Sequence, residues 1–254
     1  ALSAAPLGSE TILIMGAVSL LYTGGMFLND ACDLEHDKIV RPSRPLPSGR
    51  VPVSLAWTGG GILLVAGCSV LAYFGTASGL AGIALAGAVL SYNAWHRDNP
   101  LAPVLMGACR AFVYIVTALA LSSGASDTVV LGAVVLLIYV VALTILARDE
   151  TDNRIDSRWS IPLLFVPAGL ALTWAPIGAM TLSSVITAAS VILLALWRVH
   201  QALAPLSRAV GTLIAVIALN DAALASSSGS PQVGFLCFGC FALTLAAQRY
   251  VPGS

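Results

Sequence analysis

Two groups of aspartates in this chain share a spacing that suits metal binding. Their members are Asp30, Asp33 and Asp37 in the first group, and Asp149, Asp152 and Asp156 in the second. On a helix of 3.6 residues per turn, offsets of three and then four residues place the side chains within an arc of about 60°. Each group is therefore predicted to form one acidic stripe along a helix.

Such a stripe requires positive charge, because like charges on one helical face repel one another. Carboxylate oxygens suit Mg²⁺, which proteins often hold through a few carboxylates together with water and substrate phosphates. Nearby cationic side chains can bind the remaining phosphate oxygens. These cations are Lys38, Arg41, Arg44, Arg50, Arg97, Arg148, Arg154 and Arg158. One acidic group alone would fit a solvated helix end equally well, but the repeated spacing favours a diphosphate site.

The elements that must position these acids are membrane-spanning helices. Of the 254 residues, 58% are hydrophobic and 9% are charged, and the mean hydropathy is +0.91. Because roughly 20 apolar residues cross a bilayer as a helix, we divide the apolar runs at Gly, Pro, Ser and charged clusters. The nine predicted spans are about 10–30, 51–74, 78–95, 101–122, 127–148, 161–175, 178–198, 207–226 and 231–249. This predicts an all-α, polytopic membrane bundle in which residues 1–254 form a single domain.

The distribution of charge predicts the orientation of this bundle. All twelve Lys and Arg residues lie in one alternate set of connections or in the helix ends that adjoin it, and Arg110 and Arg249 lie deepest in the predicted helices. The positive-inside rule then places the charged connections, both acidic groups and the C-terminus on the cytoplasmic face. The formal net charge is zero, so nothing in the overall charge indicates binding to nucleic acid.

Three sequence segments resemble a known family. NDACDLEHD followed by RPSRPLPSG resembles the first Asp-rich motif and the following loop of the UbiA superfamily of intramembrane prenyltransferases, and RDETDNRID resembles its second Asp-rich motif. SYNAWHRDNP is similar to the intervening signature that runs from a tyrosine to a basic residue. In this chain the signature contains Tyr92 and Arg97, and His96 stands in place of the more usual basic residue. The similarity extends from Asn29 to about Pro162.

The resemblance implies a helical bundle around a central cavity that opens sideways toward membrane lipid, with two Mg²⁺ ions and a prenyl diphosphate held between the motifs. The implied metal ligands are Asn29, Asp30, Asp33, Asp37, Asp149, Asp152 and Asp156. The implied diphosphate-binding residues are Lys38, Arg41, Arg44, Arg97 and Arg148, of which Arg41 and Arg44 also order the loop. The residues expected to act in catalysis are Asp33, Asp37, Asp152, Asp156 and Tyr92.

The predicted reaction is ionisation of an allylic prenyl diphosphate, followed by transfer of the prenyl group to an aromatic or hydroxyl acceptor. Positive charge stabilises the leaving diphosphate, and aromatic faces can stabilise the carbocation. The candidate aromatic residues are Tyr22, Phe27, Tyr92, Trp95, Phe112, Tyr114 and Tyr139. A terpene cyclase of the same superfamily, which needs no acceptor, is the main alternative.

Two other functions fit the sequence less well. A transporter should carry polar groups near the middle of the membrane, where this chain offers Arg110, the Asn220-Asp221 pair and a few small polar residues. We interpret Asn220-Asp221 as helix-end or packing residues. A CDP-alcohol phosphotransferase has its acids in one contiguous stretch, whereas the two acidic groups here begin 119 positions apart (149 minus 30).

The predicted span order departs from the resembled family in one respect. That family usually has two spans before the first motif and three after the second, whereas this sequence predicts one span before and four after. Either an N-terminal helix is absent and the last span is additional, or the 231–249 helix occupies the place of the first. This difference bears on the acceptor, because in the resembled family the first helix normally supplies contacts to it.

Overall fold

The computed structural model describes residues 8–97, 99–122, 124–152, 154–173 and 177–249, and for Thr151 and Asp152 it describes the backbone alone. Within these residues all regular secondary structure is helical. The α-helices are α1 (Ser9–Cys32), α2 (Leu34–Val40), α3 (Val53–Tyr73), α4 (Thr76–Trp95), α5 (Ala102–Leu121), α6 (Asp127–Arg148), α7 (Val166–Thr173), α8 (Ala179–His200), α9 (Leu206–Ser227) and α10 (Pro231–Ala247). Two 3-10 helices, Asp149–Asp152 and Arg158–Phe165, lie between α6 and α7.

Seven of the helices in the described part of the chain are long and apolar enough to cross a membrane: α1, α3, α4, α5, α6, α8 and α9. Two shorter apolar segments, Arg158–Thr173 and Pro231–Ala247, lie where the sixth and ninth spans are predicted. Large apolar side chains such as Ile12, Ile62 and Leu243 are exposed, as expected where a surface faces lipid rather than water. The chain is therefore an all-α, polytopic integral membrane protein.

Packing divides the chain into two units, each of which is described by itself: Ala5–Asp127 is the first unit, and Thr128–Ser254 belongs to the second. In the first unit, α1 and α3 approach closely because glycine lies at their crossing. A Cβ atom on Gly24 would lie 2.9 Å from the Gly60 carbonyl oxygen, and one on Gly67 would lie 2.8 Å from the Ala17 carbonyl oxygen. Such short distances exclude any side chain there, so these glycines bring the two backbones together.

The other helices of the first unit complete a core around this crossing. Helix α4 packs against α1, α3 and α5. The buried core contains Ile14, Leu21 and Leu28 of α1, Leu64 and Leu71 of α3, Leu85 of α4 and Val116 of α5. This packing fixes the ends of α1 and α4, where the first acidic motif and the Tyr92 segment are located.

In the second unit, α9 is the central helix and packs against α7, α8 and α10. Tyr139 of α6 is fully buried, and its hydroxyl donates a hydrogen bond of 2.7 Å to the carbonyl oxygen of Leu213 in α9. Asn220 is buried within α9, so it is a packing residue rather than a helix-end residue. The Gln248 side-chain amide donates to the Gly211 carbonyl oxygen at 2.9 Å, which ties the end of α10 to α9.

The predicted 161–175 span differs most from the structure. Its residues begin in a 3-10 helix that contains Pro162, and α7 begins only at Val166, one residue before Pro167. Proline lacks the amide N–H of a regular α-helix and its ring clashes with the preceding turn. The two prolines therefore divide this segment, and residues 174–176 lie outside the described part of the chain.

Candidate functional site

The first acidic motif joins two helices of the first unit. Helix α1 ends at Cys32 and α2 begins at Leu34, with Asp33 between them. The amide of Asp33 donates to the Asn29 carbonyl oxygen, and the amide of Asp37 donates to the Asp33 carbonyl oxygen, each at 2.9 Å. Because these bonds continue the helical pattern across the junction, the acids keep helical spacing, as the sequence predicts.

Asp33 is held by two side chains that follow the end of α4. Its Oδ1 accepts a hydrogen bond of 2.7 Å from Arg97, and His96 Nε2 lies 3.3 Å from the same oxygen. Burial alone would raise the pKa of Asp33, but hydrogen bonds and charge from His96 and Arg97 outweigh burial and hold its pKa below 3.8. Asp33 is therefore ionised and lies beside positive charge at neutral pH.

The two ring nitrogens of His96 each have a polar partner. Its Nδ1 lies 3.2 Å from the Asn93 carbonyl oxygen, while its Nε2 faces Asp33. The hydrogen bond to Asp33 raises the pKa of His96 above 6.5, although burial acts in the opposite direction. The ring also stacks on Tyr92, with centroids 5.1 Å apart. His96 thus connects Tyr92 to the first acidic motif.

Asp37 is the most buried acid of the first motif, at 5% exposure. Arg44 NH1 lies 2.8 Å from Asp37 Oδ2 and 3.9 Å from Asp30 Oδ1, so one guanidinium neutralises both carboxylates. Arg44 comes from the RPSRPLPSG loop, which therefore folds back on the helix that carries the acids. Of the predicted diphosphate-binding residues, Arg44 is already engaged by the acidic motif.

The loop is ordered by Arg50 and by a turn at Gly49. Arg50 NH2 donates to the Ser43 carbonyl oxygen at 2.6 Å, and Arg50 Nε donates to Ser48 Oγ at 3.0 Å. Gly49 has a φ of +74°, a conformation that glycine adopts without steric cost. The loop is thus a folded connection, and the structure assigns to Arg50 part of the ordering role that the sequence predicts for Arg41.

Lys38 and Arg41 are exposed. Lys38 pairs with Glu35 at 2.7 Å, and both of these side chains are exposed. Arg41 is exposed as well. Neither residue forms an ion pair with Asp30, Asp33 or Asp37, and both are accessible from the surface.

The second acidic motif has a different backbone, and the predicted helical stripe is wrong there. Helix α6 ends at Arg148, which is exposed, and the 3-10 helix Asp149–Asp152 follows. Asp149 Oδ2 accepts the amides of Asp156 and Ser157 at 3.0 and 2.9 Å, which turns the following residues back toward it. A carboxylate that binds backbone amides in this way competes with the helical pattern.

The other two aspartates of the second motif are Asp152 and Asp156. Asp156 is exposed after the turn. The backbone of Asp152 ends the 3-10 helix, while its side chain lies outside the described part of the chain. Asp98, which follows Arg97 in the sequence, lies outside the described residues altogether.

A cavity of about 430 Å³ lies within the first unit and extends to the first acidic motif. Its lining residues come from α1, α4 and α5: Val18, Ser19, Leu21, Tyr22, Gly25, Met26, Asn29, Leu85, Val89, Tyr92, Asn93, Met106, Cys109, Arg110 and Val113. The walls are mainly apolar, with a few polar groups. This volume and composition fall within the range of small-molecule sites.

Asn29 is oriented by a short chain of amide hydrogen bonds. The buried Asn93 donates from Nδ2 to the Gly25 carbonyl oxygen at 2.9 Å. Asn93 Oδ1 in turn accepts from Asn29 Nδ2 at 3.4 Å. Since the amide nitrogen of Asn29 is used as a donor, its Oδ1 is the atom available as a ligand. The sequence motif predicts the role of Asn29 but does not reveal its support by Asn93.

The aromatic candidates separate clearly in the structure. Tyr22 and Tyr92 line the cavity. Phe27 lies 3.5 Å from the Cβ position of Gly59 in α3, and Phe112 packs against the core. Trp95 is 63% exposed, and Tyr139 is bonded within the second unit. Of the seven aromatic candidates, all of which lie in the described part of the chain, Tyr22 and Tyr92 are the two that line this cavity.

The donor chemistry of the first motif fits a hard divalent cation, although its acids are not gathered into a ready-made cluster. Among the described residues, no three His, Cys, Asp or Glu side chains converge as metal ligands. Magnesium does not require this, since it commonly binds one or two carboxylates and completes its shell with water and phosphate oxygens. Asn29 Oδ1, Asp30 and Asp33 supply oxygens of the required type.

A polytopic helical membrane protein with an acidic motif beside an apolar cavity is the class that fold and site define. The family model for the UbiA prenyltransferase family matches residues 1–227, and the chain belongs to this family. Helix α10 follows the matched residues. The segments that resemble the family's motifs thus lie within the match, as the sequence predicts.

Short stretches of the chain also match digeranylgeranylglyceryl phosphate synthases. The chain is 51% identical over 47 residues to the protein from Sulfurisphaera tokodaii, covering 18% of this chain and 17% of that protein. It is 56% identical over 39 residues to that of Sulfolobus acidocaldarius, covering 15% and 14%. It is 41% identical over 59 residues to that of Methanothrix thermoacetophila, covering 23% and 22%. The matches thus span less than a quarter of these relatives.

Two solved structures share the fold over most of the chain. One concerns digeranylgeranylglyceryl phosphate synthase in membranes, with a TM-score of 0.59, 17% identity and coverage of 86% of this chain and 85% of that one. The other is a UbiA homologue from Aeropyrum pernix K1 in its apo form, with a TM-score of 0.53, 20% identity and coverage of 98% and 93%. At these identities the similarity shows the fold alone.

Proposed function

We propose that the chain is a magnesium-dependent enzyme that transfers the prenyl group of an allylic prenyl diphosphate to an acceptor. One observation carries the proposal: Asn29 of the first acidic motif lines a mainly apolar cavity between α1, α4 and α5. A prenyl diphosphate has the same two-part character, because a charged diphosphate is joined to a hydrocarbon chain. Family membership supports the reaction class.

The charged end of the donor is assigned to the acidic motifs and their cations. The proposed metal-binding residues are Asn29, Asp30, Asp33 and Asp37 of the first motif and Asp149, Asp152 and Asp156 of the second. When bound, Mg²⁺ supplies positive charge that stabilises the leaving diphosphate. The proposed diphosphate-binding residues are Lys38, Arg41, Arg44, Arg97 and Arg148.

The reaction begins with cleavage of the bond between C1 of the prenyl chain and the diphosphate oxygen, which keeps the electron pair. The mainly apolar walls of the cavity disfavour water beside the resulting allylic cation, and the aromatic ring of Tyr92, which lines the cavity, can stabilise it. An oxygen or ring carbon of the acceptor then bonds to C1. The acceptor loses a proton, for which the released diphosphate supplies a basic oxygen.

A hydroxyl acceptor that carries a phosphate is the first candidate. The relatives are named for the synthesis of digeranylgeranylglyceryl phosphate, a glyceryl phosphate with two prenyl groups. Transfer of one geranylgeranyl group to geranylgeranylglyceryl phosphate would give that product. An aromatic acceptor is also compatible with this proposal, because one of its ring carbons would bond to C1 of the same allylic cation.

The proposed enzyme acts at the cytoplasmic face of the membrane. The exposed Lys38, Arg41 and Arg148 lie in or next to the last turn of α2 or α6, on the side that the positive-inside rule places in the cytoplasm. Surrounding membrane lipid would allow the hydrocarbon chains of the donor and the acceptor to reach the cavity without crossing water.

The test uses purified full-length chain in detergent with Mg²⁺ and labelled C10 to C20 prenyl diphosphates. Parallel reactions contain no acceptor, geranylgeranylglyceryl phosphate, or a cell extract. We expect diphosphate release and a prenylated product that require an acceptor and stop when Mg²⁺ is chelated. A hydrocarbon product formed without acceptor would identify a cyclase instead. Turnover that continues under chelation would reject the metal assignment.

A further inference from the structure

Arg110 is a cationic residue in the middle of a membrane-spanning helix. It lies eight residues after Ala102, the first residue of α5, which corresponds to a depth of about 12 Å along the helix. Its side chain lines the cavity and is half-buried. The guanidinium carbon lies 5.3 Å from the ring centroid of Tyr22. Charged residues at such depths are costly and generally have a function.

The positive charge of Arg110 has no matching negative charge in the described part of the chain. No carboxylate there forms an ion pair with Arg110, and no Asp or Glu occurs among the described residues that line the cavity. The Tyr22 ring offers Arg110 a cation–π contact, which attracts the charge but does not neutralise it. Because a cation–π contact does not require a hydrogen bond to an acceptor atom, the guanidinium N–H groups of Arg110 can still act as donors to a ligand.

The proposed prenyl donor does not account for this charge. The hydrocarbon chain is neutral, and an allylic cation would be repelled by Arg110. Tyr22 precedes Asn29 by seven residues on α1, which places it about 10 Å from the first acidic motif along the helix. The diphosphate has its own cations beside that motif, including Arg97 and Arg44.

We propose that Arg110, seated on the ring of Tyr22, binds a carboxylate or phosphate group of the acceptor within this cavity. The assignment of the ligand as acceptor rests on the proposed function, whereas anion binding itself does not. A planar guanidinium binds carboxylate and phosphate through paired N–H donors. The substrate class is therefore an amphipathic anion whose charged group lies deeper in the cavity than its reacting atom.

The test measures binding of two probes that share an oleoyl chain and differ in charge. Oleoylglycerol phosphate is the anionic probe, and monooleoylglycerol is the neutral one. Equilibrium binding to the full-length protein in neutral detergent should favour the anionic probe at least tenfold. Arg110→Met should remove this preference, while Arg110→Lys should retain part of it because the charge remains.

Three further measurements test whether the preference for the anionic probe depends on Arg110 itself. Arg198→Met removes an exposed arginine of α8 and should leave the preference unchanged. Tyr22→Phe should retain the preference, since the ring face is kept. Geranylgeranyl diphosphate with Mg²⁺ should bind Arg110→Met within about twofold of its wild-type affinity. A large loss in that measurement would assign Arg110 to the donor and overturn the proposal.

Equal affinity of the wild-type protein for the two oleoyl probes would also overturn the proposal, and this result does not depend on the folding of any variant. A preference that persists in Arg110→Met would do the same. Because binding is measured without turnover, a chain that selects the anionic probe but transfers no prenyl group would refute the proposed reaction and retain the anion site.

Discussion

The two acidic motifs have the same sequence spacing but different surroundings. In the first, residues 30–37 keep helical spacing, and the acids face cations from other segments: Asp33 faces Arg97, and Asp37 faces Arg44. In the second, the carboxylate of Asp149 binds the amides of Asp156 and Ser157, only seven and eight residues away. The acids of the first motif face side-chain cations, of which Arg97 is 64 residues from Asp33 and Arg44 is seven residues from Asp37, whereas Asp149 binds the backbone of its own segment.

This difference separates two roles that a carboxylate can have. Asp33 and Asp37 hold the ends of other elements in place and keep negative charge next to positive charge. Asp149 stabilises a local turn by accepting hydrogen bonds from donors that would otherwise require water. We therefore expect substitutions in the first motif to reduce catalysis more than folding, and substitution of Asp149 to reduce the stability of its segment.

The largest expected effect is that of Asp33→Asn on turnover. This change keeps the size of the side chain but removes the negative charge that faces His96 and Arg97. We expect prenyl transfer to fall by about 10²–10³-fold, the size of effect seen when one electrostatic contact to a reacting charge is removed. Diphosphate release with saturating Mg²⁺ measures it.

Glu35→Gln is the matched control for Asp33→Asn. Glu35 lies on α2, is exposed and pairs only at the surface with Lys38, so its charge contributes little. Its variant should retain turnover within about twofold of the wild-type protein. Equal losses in both variants would mean that overall charge, rather than the position of Asp33, matters.

The next effect in size is that of Asp149→Ala on stability. This change removes the acceptor for the Asp156 and Ser157 amides and for the Ser157 hydroxyl. We expect the free energy of unfolding to fall by about 1–3 kcal/mol. Thermal unfolding in detergent, with a chelator present to exclude metal effects, measures this loss.

Asp156→Ala is the control in the second motif, because its side chain is exposed and its backbone amide is retained. Surface changes of this kind usually alter stability by less than about 0.5 kcal/mol. If this variant unfolded as readily as Asp149→Ala, the turn would not depend on the carboxylate of Asp149, and the contrast between the motifs would be lost.

The smallest expected effect is a dependence of stability on pH through His96. The pKa of His96 is raised above 6.5, so its contribution is complete below that pH and is lost as the pH rises through the raised value. The pKa of Asp33 is lowered from 3.8, so its contribution is complete above that value and is lost only at more acidic pH. The pair therefore stabilises the fold most between these limits.

We expect the unfolding temperature without metal to fall by about 2 °C between about pH 6 and about pH 8. His96→Gln should remove most of this decrease, since glutamine does not titrate. Arg97→Gln should leave it in place, because His96 still faces Asp33. An identical pH profile in the wild-type and His96→Gln proteins would contradict the role of His96.

Most of the helices could be predicted from sequence, because length and hydropathy are local properties. The predicted 51–74 and 101–122 spans correspond to Val53–Tyr73 and Ala102–Leu121. The 161–175 span was less regular than predicted, because hydropathy does not register the effect of Pro162 and Pro167 on backbone hydrogen bonds. The separate helix α2 also follows from local geometry at Asp33 rather than from hydropathy.

The candidate site could be predicted only in part. The acidic spacing identified Asp33 and Asp37, and the charge of Arg110 within a span was a visible signal. Asn93 gave no signal of its own, because its importance lies in the hydrogen bonds that connect Gly25 to Asn29. Seven aromatic residues were candidates for the cavity, and helix packing decided that Tyr22 and Tyr92 line it.

The sequence by itself determined that this protein resides in a membrane, that its spans are helical and where its acids repeat the spacing from which metal binding is predicted. These properties depend on runs of neighbouring residues, in which hydropathy and helical periodicity are already present. Only the tertiary structure decided which cation faces which acid. Asp33 and Arg97 are 64 residues apart in sequence and meet at 2.7 Å because packing of α1 and α4 brings their ends together.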